Sequence, residues 1–240
     1  VVSVIPIEQE DRMTGRMIEF DANGATAPGY LATPEGGSGP GIVVLHEWWG
    51  LTEPFKQACD RLAEAGFVAL APDFSRGKTT ASIEEAEALG AELDRNVKRW
   101  RGDIVGALQF LRQHAATRPT DGRGAFGFVA FSTSRLLRAG YVDQSGRGDR
   151  RRRDLLCHLS WPGLPRCESG LPVPRGFGGP LRVGGVRRGI GAAGRQTTFY
   201  TYPGTRHWFF DANRVEAYDA SAAALAWERT VAFLNAELRR

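Results

Sequence analysis

Apolar residues recur along this chain with two different periods. Gly41-Ile42-Val43-Val44-Leu45 and Phe67-Val68-Ala69-Leu70-Ala71 are unbroken apolar runs closed off by Pro40 and Pro72. Short runs of this kind read as strands buried on both faces, as in a parallel sheet. A third run, from Gly124 to Phe131, has the same character. Between the first two, Phe55, Ala58, Leu62 and Ala65 fall at helical spacing, which predicts a helix over Glu53 to Ala65 stopped by Gly66. A longer helical region is expected over Ile83 to His114, broken near Gly102, and a final amphipathic helix over Ala220 to Leu238. Near the start, Met17–Phe20 and Gly29–Ala32 read as two short strands around an Asn-Gly turn. Thr197 to Tyr202 reads as one more strand, followed by a loop over 203–207. The alternation of strand and helix implies an α/β protein with an open, mostly parallel sheet and helices on both faces. There is no internal repeat.

From Thr133 to Arg195 neither period survives. This window holds 13 arginines, no lysine and four acidic residues, with a four-arginine run at Arg150–Arg153. The whole chain carries a net charge of +4, so the rest of it is net negative. The basic balance is thus local, and no aromatic stacking platform accompanies it. Phosphate attraction alone does not make a nucleic-acid site, and no nucleic-acid partner is expected. Apolar residues make up 42% and charged residues 24% of 240, which is ordinary for a soluble globular protein and sets one α/β domain, 1–240, as the expectation, with 133–195 irregular. No apolar run approaches the ~18 residues of a membrane span. Val1-Val2-Ser3 opens no basic-then-apolar leader, so no signal peptide is expected. Cys59, Cys157 and Cys167 are odd in number and form no C-x-x-C pair, so reduced thiols in a cytoplasmic protein and no zinc site are expected.

In open α/β sheets, chemistry gathers on loops at the carboxyl ends of the strands. Three such loops carry reactive side chains: His46-Glu47-Trp48-Trp49-Gly50, Phe131-Ser132-Thr133-Ser134, and Gly204-Thr205-Arg206-His207. A hydroxyl followed later in the chain by a histidine is the order used by hydrolases that activate serine with a neighbouring base. The motifs Val43-Val44-Leu45-His46-Glu47-Trp48-Trp49-Gly50-Leu51, Gly66-Phe67-Val68-Ala69-Leu70-Ala71-Pro72-Asp73-Phe74 and Tyr202-Pro203-Gly204-Thr205-Arg206-His207-Trp208-Phe209-Phe210 stand in the order and spacing of the dienelactone hydrolase family, which the chain resembles over about 15–131 and 196–240. The resemblance implies an α/β-hydrolase fold and cleavage of an ester or enol-lactone through an acyl-enzyme. It implies His207 as catalytic base, Glu47 as the acidic residue beside the nucleophile, and the Trp48 and Thr133 backbone N–H groups as oxyanion donors. Arg76, and with a looser match Arg214, fall where a substrate carboxylate would be bound. The substrate is a small ester or lactone, and no metal or organic cofactor is implied.

The chain departs from the family at the nucleophile. The family expects Gly-x-Cys/Ser-x-Gly, and this chain reads Ala130-Phe131-Ser132-Thr133-Ser134. Ser132 is one reading; in another register, from Gly124-Ala125-Phe126-Gly127-Phe128, the position falls on Val129, which cannot attack a carbonyl. The third member of the triad is absent from its expected place, since residues 155–195 contain one acid, Glu168, with no strand expected before it. Arginine, glycine and proline runs are what GC-rich codons give out of frame, and we read 133–195 as frame-shifted. Codons permitted for Pro174 to Arg182, read one nucleotide later, encode His-Ala-Gly-Ser-Glu-Asp-Pro-Tyr, which resembles the family's acid-bearing loop. Two other outcomes stay open: a broad-specificity carboxylesterase, and a catalytically dead, partly misfolded product.

Overall fold

The computed structural model describes residues 15–22, 24–117, 126–131, 155–159, 200, 202–206 and 208–239, with backbone alone at 131 and 155–159. Strands β1 (Arg16–Asp21), β2 (Thr26–Ala32), β3 (Gly41–Leu45), β4 (Val68–Pro72), β5 (Gly127–Phe131) and β6 (Leu155–Leu159) form one sheet in the order β1-β2-β4-β3-β5-β6. β1 pairs with β2 and β2 with β4 antiparallel, whereas β4–β3, β3–β5 and β5–β6 are parallel. The helices are α1 (Glu53–Glu64), α2 (Ile83–Arg95), α3 (Val97–Gln113) and α4 (Ala220–Leu238).

The unbroken apolar runs are explained by the two-sided burial of the sheet. Val43, Leu45, Val68, Leu70, Phe128 and Ala130 point into one core with Trp100, Ile104 and Leu111 of α3. Their neighbours Ile42, Val44, Ala69, Ala71 and Val129 point into a second core with Phe55, Cys59 and Leu62 of α1 and Ala226, Leu234 and Leu238 of α4. Successive side chains alternate between the faces with the strand period of two, and every residue of β3 and β4 is buried. The chain leaves β3 for β4 on one side and returns to β5 on the other. This reversal around β3 opens the crevice where open α/β sheets place their ligands.

Local chemistry sets the ends of the elements. In the first hairpin, Gly24 takes φ +82° and its N–H donates to Asp21 Oδ1 at 2.9 Å. The α1 terminus is closed by Gly66, at φ +84°, and by Arg239, whose Nη2 donates to the carbonyls of Ala65 (2.8 Å) and Gly66 (3.1 Å). The last residues of the chain are thereby tied to the first crossover helix.

Three expectations need correction or restriction. The break in the long helical region is at Asn96 and not near Gly102. Asn96 leaves helical geometry at φ −112°, ψ 36°, and the Glu92 carbonyl accepts both its backbone N–H at 3.1 Å and its side-chain amide at 2.9 Å, which closes the end of α2. Gly102 sits inside α3, where an interior glycine costs about 1 kcal/mol relative to alanine and is tolerated. Secondly, the 133–195 window does contain a strand. Leu155-Leu156-Cys157-His158-Leu159 pairs with β5 in register Gly127↔Leu155 through Phe131↔Leu159. A five-residue run of four apolar residues and a histidine, next to an arginine cluster in the sequence, is enough to cover the open edge of β5, whose unpaired backbone groups favour any extended partner. His158 is therefore part of the sheet. Thirdly, the strand expected over 197–202 lies outside the described residues except for Tyr200 and Tyr202.

Candidate active site

The loop after β3 is held by the histidine that begins it. His46 is fully buried. Its Nε2 accepts the Phe74 N–H at 3.0 Å and its Nδ1 lies 2.8 Å from the Glu47 carbonyl. A ring nitrogen that accepts from an amide carries no proton, so the proton is on Nδ1 and is donated to Glu47 O. Burial pushes the His46 pKa down, against the weaker opposing effects of the Glu47 carbonyl and of Asp73 at 3.8 Å. The ring therefore stays neutral and fastens the β3 loop to the β4 loop. Glu47 follows, half-buried, with its carbonyl also accepting the Gly50 N–H at 3.3 Å to close the turn. Gly50 adopts φ +84°, and a Cβ there would collide with the Lys78 carbonyl. Trp48 lays its indole on α2, so close that a Cβ at Gly90 would lie 3.1 Å from the ring.

The β4 loop is wound around Asp73, which is almost fully buried. Its Oδ1 accepts from Ser75 N at 2.9 Å and its Oδ2 from Gly77 N at 2.6 Å. These bonds carry Arg76 at φ +55°, in the left-handed region. Arg76 Nη1 donates to the Asp73 carbonyl and Nη2 to Asp103 Oδ1, both at 2.7 Å. Asp103 stands on the core face of α3 and is 2% exposed. The arginine expected to meet a substrate carboxylate is thus already paired with one of the protein's own, although its remaining N–H groups leave room for a second acceptor.

Arg214 is differently placed. Its guanidinium lies 4.3 Å from the centroid of Trp49 and 4.2 Å from that of Trp208, with Nε 3.9 Å from Asp211 Oδ2. The two indoles meet edge to face at 5.9 Å.

Ser132, Thr133 and His207 lie outside the described residues, and so does Glu168. Their immediate chain neighbours do not: β5 ends at Phe131, and Arg206 and Trp208 flank position 207. Val129, the alternative nucleophile position, is inside β5, opposite Val44 and Cys157, with its side chain buried in the α1–α4 core. It is not at a strand end, where a nucleophile has to project.

The sequence reading missed Asp103, and the signal was available. Trp100, Asp103, Ile104 and Ala107 share one helical face, and a carboxylate on an apolar stripe needs a cation. The indole–arginine–indole stack gave no such signal, because Trp49 and Arg214 are far apart in the chain. Among the described residues no group of three or more His, Cys, Asp or Glu could hold a metal ion, and no helix is long and apolar enough to cross a membrane.

The strand order and the loops gathered at the carboxyl ends of β3 and β4 define an α/β-hydrolase fold. The profile of the dienelactone hydrolase family matches residues 27–133 and 182–238, well over half of the chain, and the chain belongs to that family. It is similar to "Protein usf" of Aquifex pyrophilus (33% identity, 92% of this chain, 98% of that one). It is also similar to a "Putative carboxymethylenebutenolidase" of Aquifex aeolicus (29% identity, 94% of this chain, 100% of that one). Among solved structures, a dienelactone hydrolase-like promiscuous phosphotriesterase from metagenomic libraries shares the fold at TM-score 0.69, with 21% identity over 94% of this chain and 98% of that chain. Family membership makes this chain a carboxylic ester hydrolase of the dienelactone hydrolase type.

Proposed function

We propose that this hydrolase cleaves a small carboxylate-bearing ester or enol-lactone with Ser132 as nucleophile and His207 as base. The observation that supports the reading is that β5, the parallel neighbour of β3, runs to Phe131, the residue that precedes Ser132 in the sequence. Ser132 Oγ attacks the acyl carbon while His207 takes its proton. The carbonyl oxygen becomes an oxyanion held by the Trp48 and Thr133 N–H groups, which is usually the largest single contribution to such a reaction. Collapse breaks the acyl C–O bond, and His207 returns the proton to the departing enolate or alkoxide. Water, deprotonated by His207, then attacks the acyl-enzyme, and Ser132 is released with its proton restored. Glu47 tunes the nucleophile, and Arg76 offers its remaining N–H groups to the substrate carboxylate beside Asp103.

We place the protein in the cytoplasm, on the grounds that Cys59 is a buried free thiol whose pKa burial pushes up, an unreactive form suited to a reducing compartment. The test is hydrolysis of p-nitrophenyl acetate and of an enol-lactone by wild type and by Ser132→Ala. Loss of turnover on both substrates is expected. Unchanged turnover in the variant would remove Ser132 from the reaction.

A further inference from the structure

The loop that follows β3 is fixed on two sides by hydrogen bonds and packing against the β4 loop: His46 bonds Phe74, and the Thr80 N–H donates to the Trp49 carbonyl at 3.2 Å. On its third side it meets the segment that continues from position 207, and there the contacts are the edge-to-face pair of Trp49 and Trp208 and the Arg214 guanidinium beside it. Trp49 is buried, and the Arg214 side chain is 24% exposed. The guanidinium sits in the corner made by the two edge-to-face indoles, 4.3 Å and 4.2 Å from their centroids, and its Nε lies 3.9 Å from Asp211 Oδ2. A cation packed on aromatic rings and partly withdrawn from water is held more strongly than an exposed one.

The segment around it is compact. Asp211 N donates to Trp208 O at 2.9 Å, Arg214 N to Asp211 O at 3.0 Å, and Ala217 N and Tyr218 N both to Arg214 O at 2.8 Å. Trp208, the residue after His207, sits at φ +67°, a conformation a tryptophan keeps only when its surroundings hold it there. Trp49 and Arg214 both lie against its ring.

We infer that Arg214 is a positioning residue: its guanidinium, packed in the corner between Trp49 and Trp208, locks the loop that bears the Trp48 N–H to the segment that follows position 207. This rests on the hydrolase reading above for its consequence in turnover, but not for its structural content. It also separates Arg214 from Arg76. Arg214 spends its faces on the protein and acts on every substrate alike, whereas a carboxylate ligand would act on anionic substrates alone.

The experiment compares wild type, Arg214→Gln and Arg214→Lys by hydrogen–deuterium exchange and by steady-state kinetics on p-nitrophenyl acetate and on a carboxylate-bearing p-nitrophenyl ester. In Arg214→Gln, the amides of 48–50 and 208–210 exchange about tenfold faster while those of β3 are unchanged, because the clamp opens locally. The kcat falls by a similar factor on both esters with KM little changed. Arg214→Lys retains the cation and restores most of the protection and the turnover. Should Arg214→Gln fail to fold, Trp208→Leu is read the same way. Unchanged exchange in the loop overturns the inference, as does a lysine that protects no better than glutamine, or an effect confined to KM for the anionic ester. A wild type that exchanges as expected but hydrolyses neither ester removes the hydrolase reading and leaves the clamp standing.

Discussion

Removing Arg76 should destabilise the protein severely, and replacing it together with Asp103 should not. Asp103 is 2% exposed, and Arg76 Nη2 reaches its Oδ1 at 2.7 Å. Its Oδ2 is buried without a hydrogen-bond partner among the described groups. Arg76→Ala therefore leaves a buried carboxylate facing no cation. Stripping one partner from a buried ion pair costs about 3–5 kcal/mol, because the desolvation of the survivor is no longer offset. A domain of this size loses about 2–4 °C in Tm per kcal/mol, so the melting point should fall by about 6–20 °C. The pair as a whole adds little to stability, since its attraction is spent against desolvation of both ions. Arg76→Met with Asp103→Leu should therefore melt within about 4 °C of wild type, on the expectation that an apolar pair of similar volume is roughly neutral. The assay is thermal unfolding followed by circular dichroism at one pH and ionic strength for wild type, Arg76→Ala and the double variant. A single Arg76→Ala variant that melts within 2 °C of wild type, or a double variant no better than the single, would refute the reasoning and return Arg76 to the solvent-exposed class of ion pairs, worth about 0–1 kcal/mol.

Two more outcomes follow. Burial depresses the pKa of His46 in the folded state, so the unfolded chain takes up a proton first as pH falls below about 6.5. The stability His46 contributes is present in full above that pH and is lost below it, at up to about 1.4 kcal/mol per pH unit, until the folded-state pKa is reached. Denaturant titrations between pH 7.5 and 5 should show this slope in wild type and a shallower one in His46→Gln; equal slopes would assign the titration elsewhere, first to His114, whose pKa is also depressed by burial and by Arg16. The second concerns 133–195: peptide mapping by mass spectrometry of the protein made from its native gene should yield shifted-frame peptides, including an aspartate-bearing one across 174–182, in place of the arginine-rich peptides written in the sequence. Detection of a peptide containing Arg150–Arg153 would end the frame-shift reading.

Much of the fold was legible because two-sided burial writes itself plainly. Ile42 and Val43 enter different cores, so the strand shows no alternation and is recognisable by its punctuation at Pro40 and the loop at His46. The α2–α3 break was misplaced because glycine is the stronger statistical breaker, whereas the actual device is an asparagine bonding back to Glu92. β6 escaped notice because five residues carry little periodic signal and their pairing is decided by the open edge of β5, a partner distant in sequence. The site divides the same way. Roles that travel with a motif, such as Glu47, Trp48 and Arg76, could be proposed from residues alone. The partners that determine what those residues are free to do could not, since Asp103 and Trp208 come from other elements.

The registers at β3 and β5 bear on the weakest part of the motif. Leu45 is opposite Ala130, so β3 gives out at the level where β5 has one residue left. The loop beginning at His46 and the chain beyond Phe131 thus start within a residue of each other on adjacent parallel strands. The positions where the family pattern has glycines carry Ala130 and Ser134 here. Substituting glycine where a left-handed turn is required costs on the order of 1–2 kcal/mol. That is small beside the loss of a triad acid, which lowers turnover about 10⁴-fold in the measured aspartate-to-asparagine case. On the serine–histidine reading proposed above, the absence of a carboxylate other than Glu168 between 155 and 195 weighs more on the activity of this chain as written than the altered elbow does. The family profile skips 134–181, within the same stretch in which the apolar periods fail, and resumes at 182, ahead of the histidine motif. Ser132 and His207, the pair proposed above, fall within the matched residues, whereas the expected place of the acid falls in the stretch that departs from the family.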